Sequence, residues 1–488
     1  MSNQIHIIQN AITTTISEIF RGDFRRICEV KKAVLHLEAI YFCHGTCYLL
    51  KRENMPIKDQ LALYQRIELI PQSTTEFFEN NRECIINNWP EESALAAKPE
   101  ILYDALLASE FCVQPERVGY KIDKVSRDIA GAYYTSSDFS AQITYRALES
   151  YMDRKRRRAI DSDSFACCNE YENITFLDYS CGCGEFLLAV IQYFDNHVLG
   201  YSRKKLATQL RGVDVNPIAL MITIARIVSA VEAEDDENLL REVAKNFIVG
   251  NPLLHSDKIA PLEVRFDNFA LNRLYAETEG INCLELEQQN LVVLGNPPWE
   301  KLRFEEQAFF RPVCPAISAI SQKNKREKEI KKLAVNWLEL LEYYQLLQDD
   351  YASVKKEIPK HPLLKVSLVG ELNTYAMFAE LASRLTEKDG FAAIIAKSAL
   401  VTSTCYSSCF RHFVNQGSLS EVFLFDNREK LFQIDSREKF CVLFFGGEHA
   451  GGIKVHYGLT KQEQILSSVP INVTSEELEL INPETGLL

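Results

Sequence analysis

The chain has 488 residues, 47% of them hydrophobic and 25% charged, an ordinary globular composition with room for two or three domains. This excludes fibrous, repeat and low-complexity classes. With 54 Lys and Arg against 67 Asp and Glu, the formal net charge is −13, so nucleic acid could be gripped only through a local basic stripe or a partner.

No apolar run reaches the roughly 18 residues of a membrane span, and the start MSNQIHIIQNAITTT lacks the basic-then-apolar layout of a signal peptide. The sequence reads as a soluble cytoplasmic protein with no membrane partner. Its 14 cysteines include no CxxC pair and are expected to be free thiols. Cys43, His44 and Cys47 fall close together on a helix, but no second half of a ligand set exists, and no metal is expected.

Residues 1–125 are predicted to form a helical N-terminal domain. Apolar residues recur every three or four positions through Ile8 to Phe20 and Val34 to Leu50, without strand-like alternation. Glu29 and Lys31, with Asp23 nearby, superficially resemble half of a nuclease site, but no strand pattern surrounds them. From 126 short apolar runs appear, each closed by an acid, Gly or Asn: Ile174 to Leu177, Leu210 to Val213, Phe247 to Val249, Leu291 to Leu294, Phe391 to Ile395, Val422 to Phe425 and Phe440 to Phe445. Strands alternating with helices, then a late run of strands, predict a doubly wound α/β sheet with ligands at the strands' carboxyl ends. The pattern divides into a core 126–302, a charged helical insertion 303–364, a second core part 365–450 and the start of a C-terminal region 451–488. The insertion reads as a helical hairpin or lid, or as surface helices packed on the sheet. The basic run Arg154 to Arg158 is a candidate phosphate contact.

Three motifs carry chemistry. In Phe176-Leu-Asp178-Tyr-Ser-Cys181-Gly182-Cys-Gly184-Glu-Phe, a strand ends in an acid, turns through two glycines and enters a helix; glycine permits the tight turn and close approach to a ligand. In Arg211-Gly-Val-Asp214-Val-Asn-Pro217, an acid ends the second strand, where a carboxylate can hold both hydroxyls of a ribose. Sharpest is Leu291-Val-Val-Leu-Gly-Asn296-Pro297-Pro298-Trp299, because packing does not explain a buried strand running into Asn-Pro-Pro-aromatic. It sets two acceptors, the Asn296 amide oxygen and the Pro297 carbonyl, beside the π face of Trp299, which suits a planar ring bearing an amine.

Over about residues 126–445 the sequence resembles the S-adenosylmethionine-dependent DNA methyltransferases that modify amino groups, in particular the N6-adenine enzymes with gamma motif order. Gly131-Ala-Tyr133-Tyr134-Thr135 resembles the family's GxYYTP segment, and DYSCGCGEFL its DPACGSGxFL, with Tyr179 for Pro and Cys183 for Ser. The resemblance implies a class I methyltransferase fold. It implies S-adenosylmethionine as cofactor, held by Tyr134, Thr135, Asp178, Cys181, Gly182, Gly184, Asp214 and Asn251. Asn251 stands where the family commonly has Asp. It makes Asn296, Pro297, Pro298 and Trp299 the catalytic loop. Asn373, Tyr375 and Phe378 would pack beside that loop. Phe425-Asp-Asn-Arg-Glu-Lys-Leu-Phe432 resembles the family's FENRxxxF segment, so that Phe432 joins Trp299 in stacking a flipped base.

The implied activity is methyl transfer to the N6 amine of adenine in double-stranded DNA, with the target base flipped out. The setting is restriction-modification or phage defence, with a separate target-recognition or restriction subunit as a possible partner. Alternatives are a truncated or partner-dependent cofactor-binding subunit without activity of its own, and a methyltransferase acting on protein glutamine or another amino group.

Overall fold

The computed structural model describes residues 2–96, 98–122, 135–161, 171, 173–255, 260–273, 290–386, 389–446 and 452–488. Eleven strands are described: β1 Ser109–Gln114, β2 Arg117–Ile122, β3 Thr175–Asp178, β4 Leu210–Asp214, β5 Phe247–Val249, β6 Leu291–Gly295, β7 Phe391–Lys397, β8 Leu419–Asp426, β9 Lys439–Phe445, β10 Gly452–Leu459 and β11 Ile471–Thr474. Nine of them form one sheet in the order β11-β10-β8-β9-β7-β6-β3-β4-β5.

β5, β4, β3, β6 and β7 run parallel, and antiparallel β9 lies between β7 and β8. Every residue of β6 is buried, as expected of a central parallel strand covered on both faces. The chain leaves β3 toward β4 and β5 on one side and returns through β6 and β7 on the other. The order therefore reverses between β3 and β6, and ligands of doubly wound sheets sit at the carboxyl ends of the strands at such a reversal. The apolar runs read as strands are β3 to β9. Residues 452–459 and 471–474 extend the same sheet rather than opening a separate layer.

The helical N-terminal part differs from expectation in one place. Its helices end at Leu107, and β1 and β2 form an antiparallel hairpin about Pro115 and Glu116. Glu110, Arg117 and Lys121 hide the alternation in sequence. Packing reveals it: Val113 is fully buried, the Phe111 and Tyr120 rings meet 4.9 Å apart, and Tyr120 donates to Glu38. Helix Ile27–Leu49 is buried on nearly all sides and packs against helices Pro217–Ala230, Leu262–Ala270 and Leu338–Glu357. It joins the N-terminal layer, the sheet and the insertion. Cys43 and Cys47 are buried there, and His44 bonds the Gln60 side chain at 2.9 Å. Among the described residues no three His, Cys, Asp or Glu side chains are grouped to hold a metal, and no helix is long and apolar enough to cross a membrane.

The insertion opens with short helices Glu306–Val313 and Pro315–Ser318 and continues into two longer ones, Lys323–Asn336 and Leu338–Glu357, broken at Trp337, whose indole donates to the Arg25 carbonyl at 2.6 Å. Tyr343 donates to the Leu271 carbonyl at 2.9 Å. The pair is thus docked on the N-terminal layer.

Arg154, the first residue of the basic run, differs from its phosphate-binding expectation. Arg154 turns inward from helix Ser137–Asp161 and donates to the Gly446 carbonyl, to Asp389 O at 2.7 Å and to Gly390 O at 2.8 Å. Its guanidinium stitches the start of β7 to the end of β9, while Arg156 pairs with Asp153 on the surface. Arg154→Ala leaves buried carbonyls without donors and is expected to cost about 2–4 kcal/mol in chemical denaturation. Arg156→Ala is expected to change stability by less than about 0.5 kcal/mol. Equal effects would contradict the structural role of Arg154.

Candidate active site at the strand ends

Four strand ends, those of β3, β4, β5 and β6, build the site. After β3 the backbone turns through Gly182 (φ +49°) and Gly184 (φ +86°) before helix Glu185–His197. Gly184 admits no side chain, because a Cβ there would lie 2.8 Å from Cγ2 of Thr223. Helix Pro217–Ala230 locks the turn from behind: Thr223 donates to Gly182 O at 2.7 Å, and Arg226 reaches Cys183 O at 2.5 Å and Glu185 at 2.7 Å. The Cys181 amide bonds Val213 O at 3.0 Å, tying the turn to β4.

Asp214 ends β4 and fixes the same turn from below. Its Oδ2 accepts from the Gly182 amide at 2.9 Å and its Oδ1 from the Asn216 amide at 2.8 Å. A carboxylate offers about four lone-pair sites, so two bonds leave it capable of more. Burial raises its pKa, opposed by these amides. Beyond β5, Asn251 accepts from the Leu253 amide at 3.1 Å in a local turn.

Asp178 is 1% exposed, and the Ser180 amide donates to its Oδ1 at 3.0 Å. A Cβ on Gly295 would fall 2.8 Å from that oxygen, so the glycine at the end of β6 lets the carboxyl lie against the neighbouring strand. Burial pushes Asp178 up to about 8; the Ser180 amide opposes this, and the like charge of Asp214 adds to it. Two poorly solvated acids thus share the crevice.

At the end of β6 the Asn296 amide nitrogen donates to the Thr135 hydroxyl at 3.1 Å. That bond fixes the amide plane, and so the direction of its oxygen. Pro297 and Pro298 stiffen the following backbone. Thr374 clamps it: its hydroxyl donates to Pro298 O at 2.6 Å and accepts from the Glu300 amide at 2.8 Å, and its amide bonds Glu300 O at 2.9 Å. Helix Thr374–Leu385, led by Asn373, therefore lies beside the loop. Phe378 O accepts from Tyr179 OH at 2.9 Å, while Tyr375 faces Tyr406. Glu300 itself is pushed up to about 8 by burial.

Trp299 is 5% exposed and meets Phe432 edge-on, centroids 5.2 Å apart at 71°. A planar ring held between two aromatic faces needs roughly 7 Å, two van der Waals layers of about 3.5 Å. The two walls expected of a base slot are thus packed on each other. Phe432, 1% exposed, is also fenced by Phe440 and Phe139. Asn427 pins the Phe432 backbone in both directions, donating to its carbonyl at 2.9 Å and accepting from its amide at 3.0 Å.

The structure thus brings Thr135, Asp178, Cys181, Gly182, Gly184, Asp214, Asn251, Asn296, Pro297, Pro298 and Trp299 to neighbouring strand ends. Tyr134, with Gly131 and Tyr133, lies outside the described residues. Sequence reasoning missed Thr223, Arg226, Thr374 and Asn427. A signal for the first two existed, since they are the central polar residues in the otherwise apolar helix PIALMITIARIVSA. Also missed was the reach of the N-terminal layer: Asn216 donates to Tyr103 OH, and Glu100 lies 3.9 Å from Arg226.

No family model and no curated protein matches this chain. Among solved structures, a DrdV–DNA complex aligns with 97% of this chain and 44% of its own at 11% identity and a TM-score of 0.50. A nuclease-deletion mutant of the Type ISP restriction-modification enzyme LlaGI, in complex with a DNA substrate mimic, aligns with 98% of this chain and 37% of its own at 13% identity and a TM-score of 0.48. The chain spans less than half the length of either, and the likeness is one of fold.

Asp178 gives a pH test. Folded, it keeps its proton up to about 8; its ordinary pKa is 3.8. Between those values the folded state binds more protons, so this group lowers stability as pH rises from about 4 toward 8. Asp178→Asn is always neutral and keeps an acceptor for Ser180. Its Tm relative to wild type is expected to be higher at pH 8 than at pH 5, and equal offsets would refute the assignment.

Proposed function

We propose that this chain is a DNA methyltransferase that transfers the methyl group of S-adenosylmethionine to the N6 amine of adenine, within a restriction-modification or phage-defence system. The observation that carries this reading is the convergence, at the reversal of a doubly wound sheet, of a glycine turn, the buried Asp178, the half-buried Asp214 and a rigid Asn-Pro-Pro-Trp loop. The fold shared with the DrdV–DNA complex agrees with it.

The donor set fits the cofactor. Asp178 and Asp214 are acids raised by burial, and a cationic ligand beside them would relieve that cost. Gly182, with nothing within 4 Å of its Cβ direction, leaves the backbone bare for close approach, Gly184 lets the turn pack on Thr223, Asp214 keeps lone pairs for ribose hydroxyls, and Asn251 offers an amide beyond β5. Tyr134 and Thr135 complete the set. When bound, S-adenosylmethionine supplies an electrophilic methyl group on a sulfonium sulfur.

The chain's own work is alignment. The target amine is a poor nucleophile because its lone pair is delocalised into the ring. Asn296 Oδ1, oriented through the Thr135 bond, and the Pro297 carbonyl accept its two hydrogens. This favours a pyramidal nitrogen whose lone pair points along one line. Trp299 offers a π face that steadies positive charge developing on the base. Thr374 and the two prolines keep these groups from relaxing. The target base is flipped out of duplex DNA, and Phe432 must part from Trp299 for both rings to stack on it. Restriction subunits or separate recognition chains are partners that this reading allows. The segments 1–125, 126–302, 303–364, 365–450 and 451–488 serve as its working divisions, and the cytoplasm as its compartment.

The test is transfer of labelled methyl to mixed-sequence unmethylated duplex DNA, with the product nucleosides separated. Label is expected in N6-methyladenine and is expected to fall by about 100-fold or more in Asn296→Ala. Label in cytosine or in protein would overturn the adenine assignment. Retained S-adenosylmethionine binding with no transfer to any DNA, alone or with neighbouring gene products added, would favour a binding subunit.

A further inference from the structure

Helix Lys323–Asn336 carries six basic and two acidic side chains in a protein whose formal net charge is −13. Its inward face is Arg326, Ile330 and Leu333. At 3.6 residues per turn, the opposite face presents Lys325, Lys328, Lys331 and Lys332 within an arc of roughly 120°, with no acid inside it. Glu327 and Glu329 flank the arc and pair with Lys323 and Lys332. Among the described residues, Lys325, Lys328 and Lys331 are exposed and have no carboxylate within ion-pairing distance. Clustered like charges repel one another, so a surface helix gains nothing in stability from this arrangement.

The stripe is held rigidly close to the Asn-Pro-Pro-Trp loop in the chain. Arg326 grips Glu306 and bonds Ile320 O at 2.8 Å, and Tyr344 donates to the same Glu306 at 2.5 Å. Glu306 opens the helix Glu306–Val313, seven residues after Trp299. Phe304, between loop and helix, packs its ring against Tyr344 and Tyr351. From Lys325 to Lys332 the stripe is about 10 Å long. That is comparable to three successive inter-phosphate steps along one strand of a duplex, at about 3.4 Å of axial rise each.

We propose that the outward face of helix Lys323–Asn336 docks the phosphate backbone of duplex DNA beside the catalytic loop, an inference that rests on the DNA reading above. Sequence-independent contacts of this kind position a duplex without specifying its bases. Such a stripe gives a protein of net negative charge a local site of attraction for DNA.

The experiment is fluorescence anisotropy of a labelled mixed-sequence duplex against the full chain over a series of NaCl concentrations. The proteins are wild type, a Lys325→Gln, Lys328→Gln, Lys331→Gln triple variant, the matching Lys→Arg triple, and a control triple of the exposed Lys58→Gln, Lys204→Gln and Lys461→Gln. Loss of three phosphate contacts is expected to reduce the magnitude of the log–log salt slope by about 2.7. The Arg triple and the control should keep the wild-type slope. KM for DNA should rise with kcat unchanged, and S-adenosylmethionine affinity, which reads integrity of the fold, should stay the same. An unchanged slope in the Gln triple, an equal loss in the control, or a loss in the Arg triple overturns the stripe. If wild type still methylates DNA in those cases, the activity stands alone. No DNA binding and no methyl transfer by wild type overturns both.

Discussion

One carboxylate holds the crevice together. Asp214 accepts from the Gly182 amide with one oxygen and from the Asn216 amide with the other. It thereby ends β4, sets the glycine turn after β3 and starts helix Pro217–Ala230. A poorly solvated acid is tolerable only when its oxygens are well bonded, so its surroundings cannot relax independently. The same helix returns Thr223 and Arg226 to the carbonyls of that turn. Gly212 sits so close to Phe247 that a Cβ there would lie 2.4 Å from the ring.

The N-terminal layer is bolted to this joint. Tyr103 accepts from Asn216, and Glu100 lies near Arg226, both from helix Pro99–Leu107. Helix Ile27–Leu49 carries the contact on to the insertion. The layer that looks peripheral in sequence is therefore part of the wall behind the glycine turn.

The loop after β6 is rigid for a different reason. Two prolines limit its backbone, Thr374 satisfies its polar groups, and Thr135 orients Asn296. Opposite it, Asn427 holds the Phe432 segment just as firmly, and the Trp299 and Phe432 rings close on each other. Stacking a planar ring between them requires separating two apolar surfaces that are otherwise buried together. The energy for that separation has to come from the ring that replaces the contact.

The sequence by itself determined seven of the nine described strands of the sheet and which polar residues stand at their ends. β3 to β9 were legible because buried parallel strands are short apolar runs closed by turn residues. The positions of Gly182, Asp214 and Asn296 were legible because each follows directly on a buried apolar run that a turn residue must close. Only the tertiary structure decided what depends on distant partners. Glu110, Arg117 and Lys121 obscured the β1–β2 hairpin until its other face met the N-terminal helices. Arg154 looked like a phosphate ligand until three carbonyls from β7 and β9 surrounded it. Local spacing records which face a residue occupies, but a buried polar group takes its role from whichever donor or acceptor the fold brings to it.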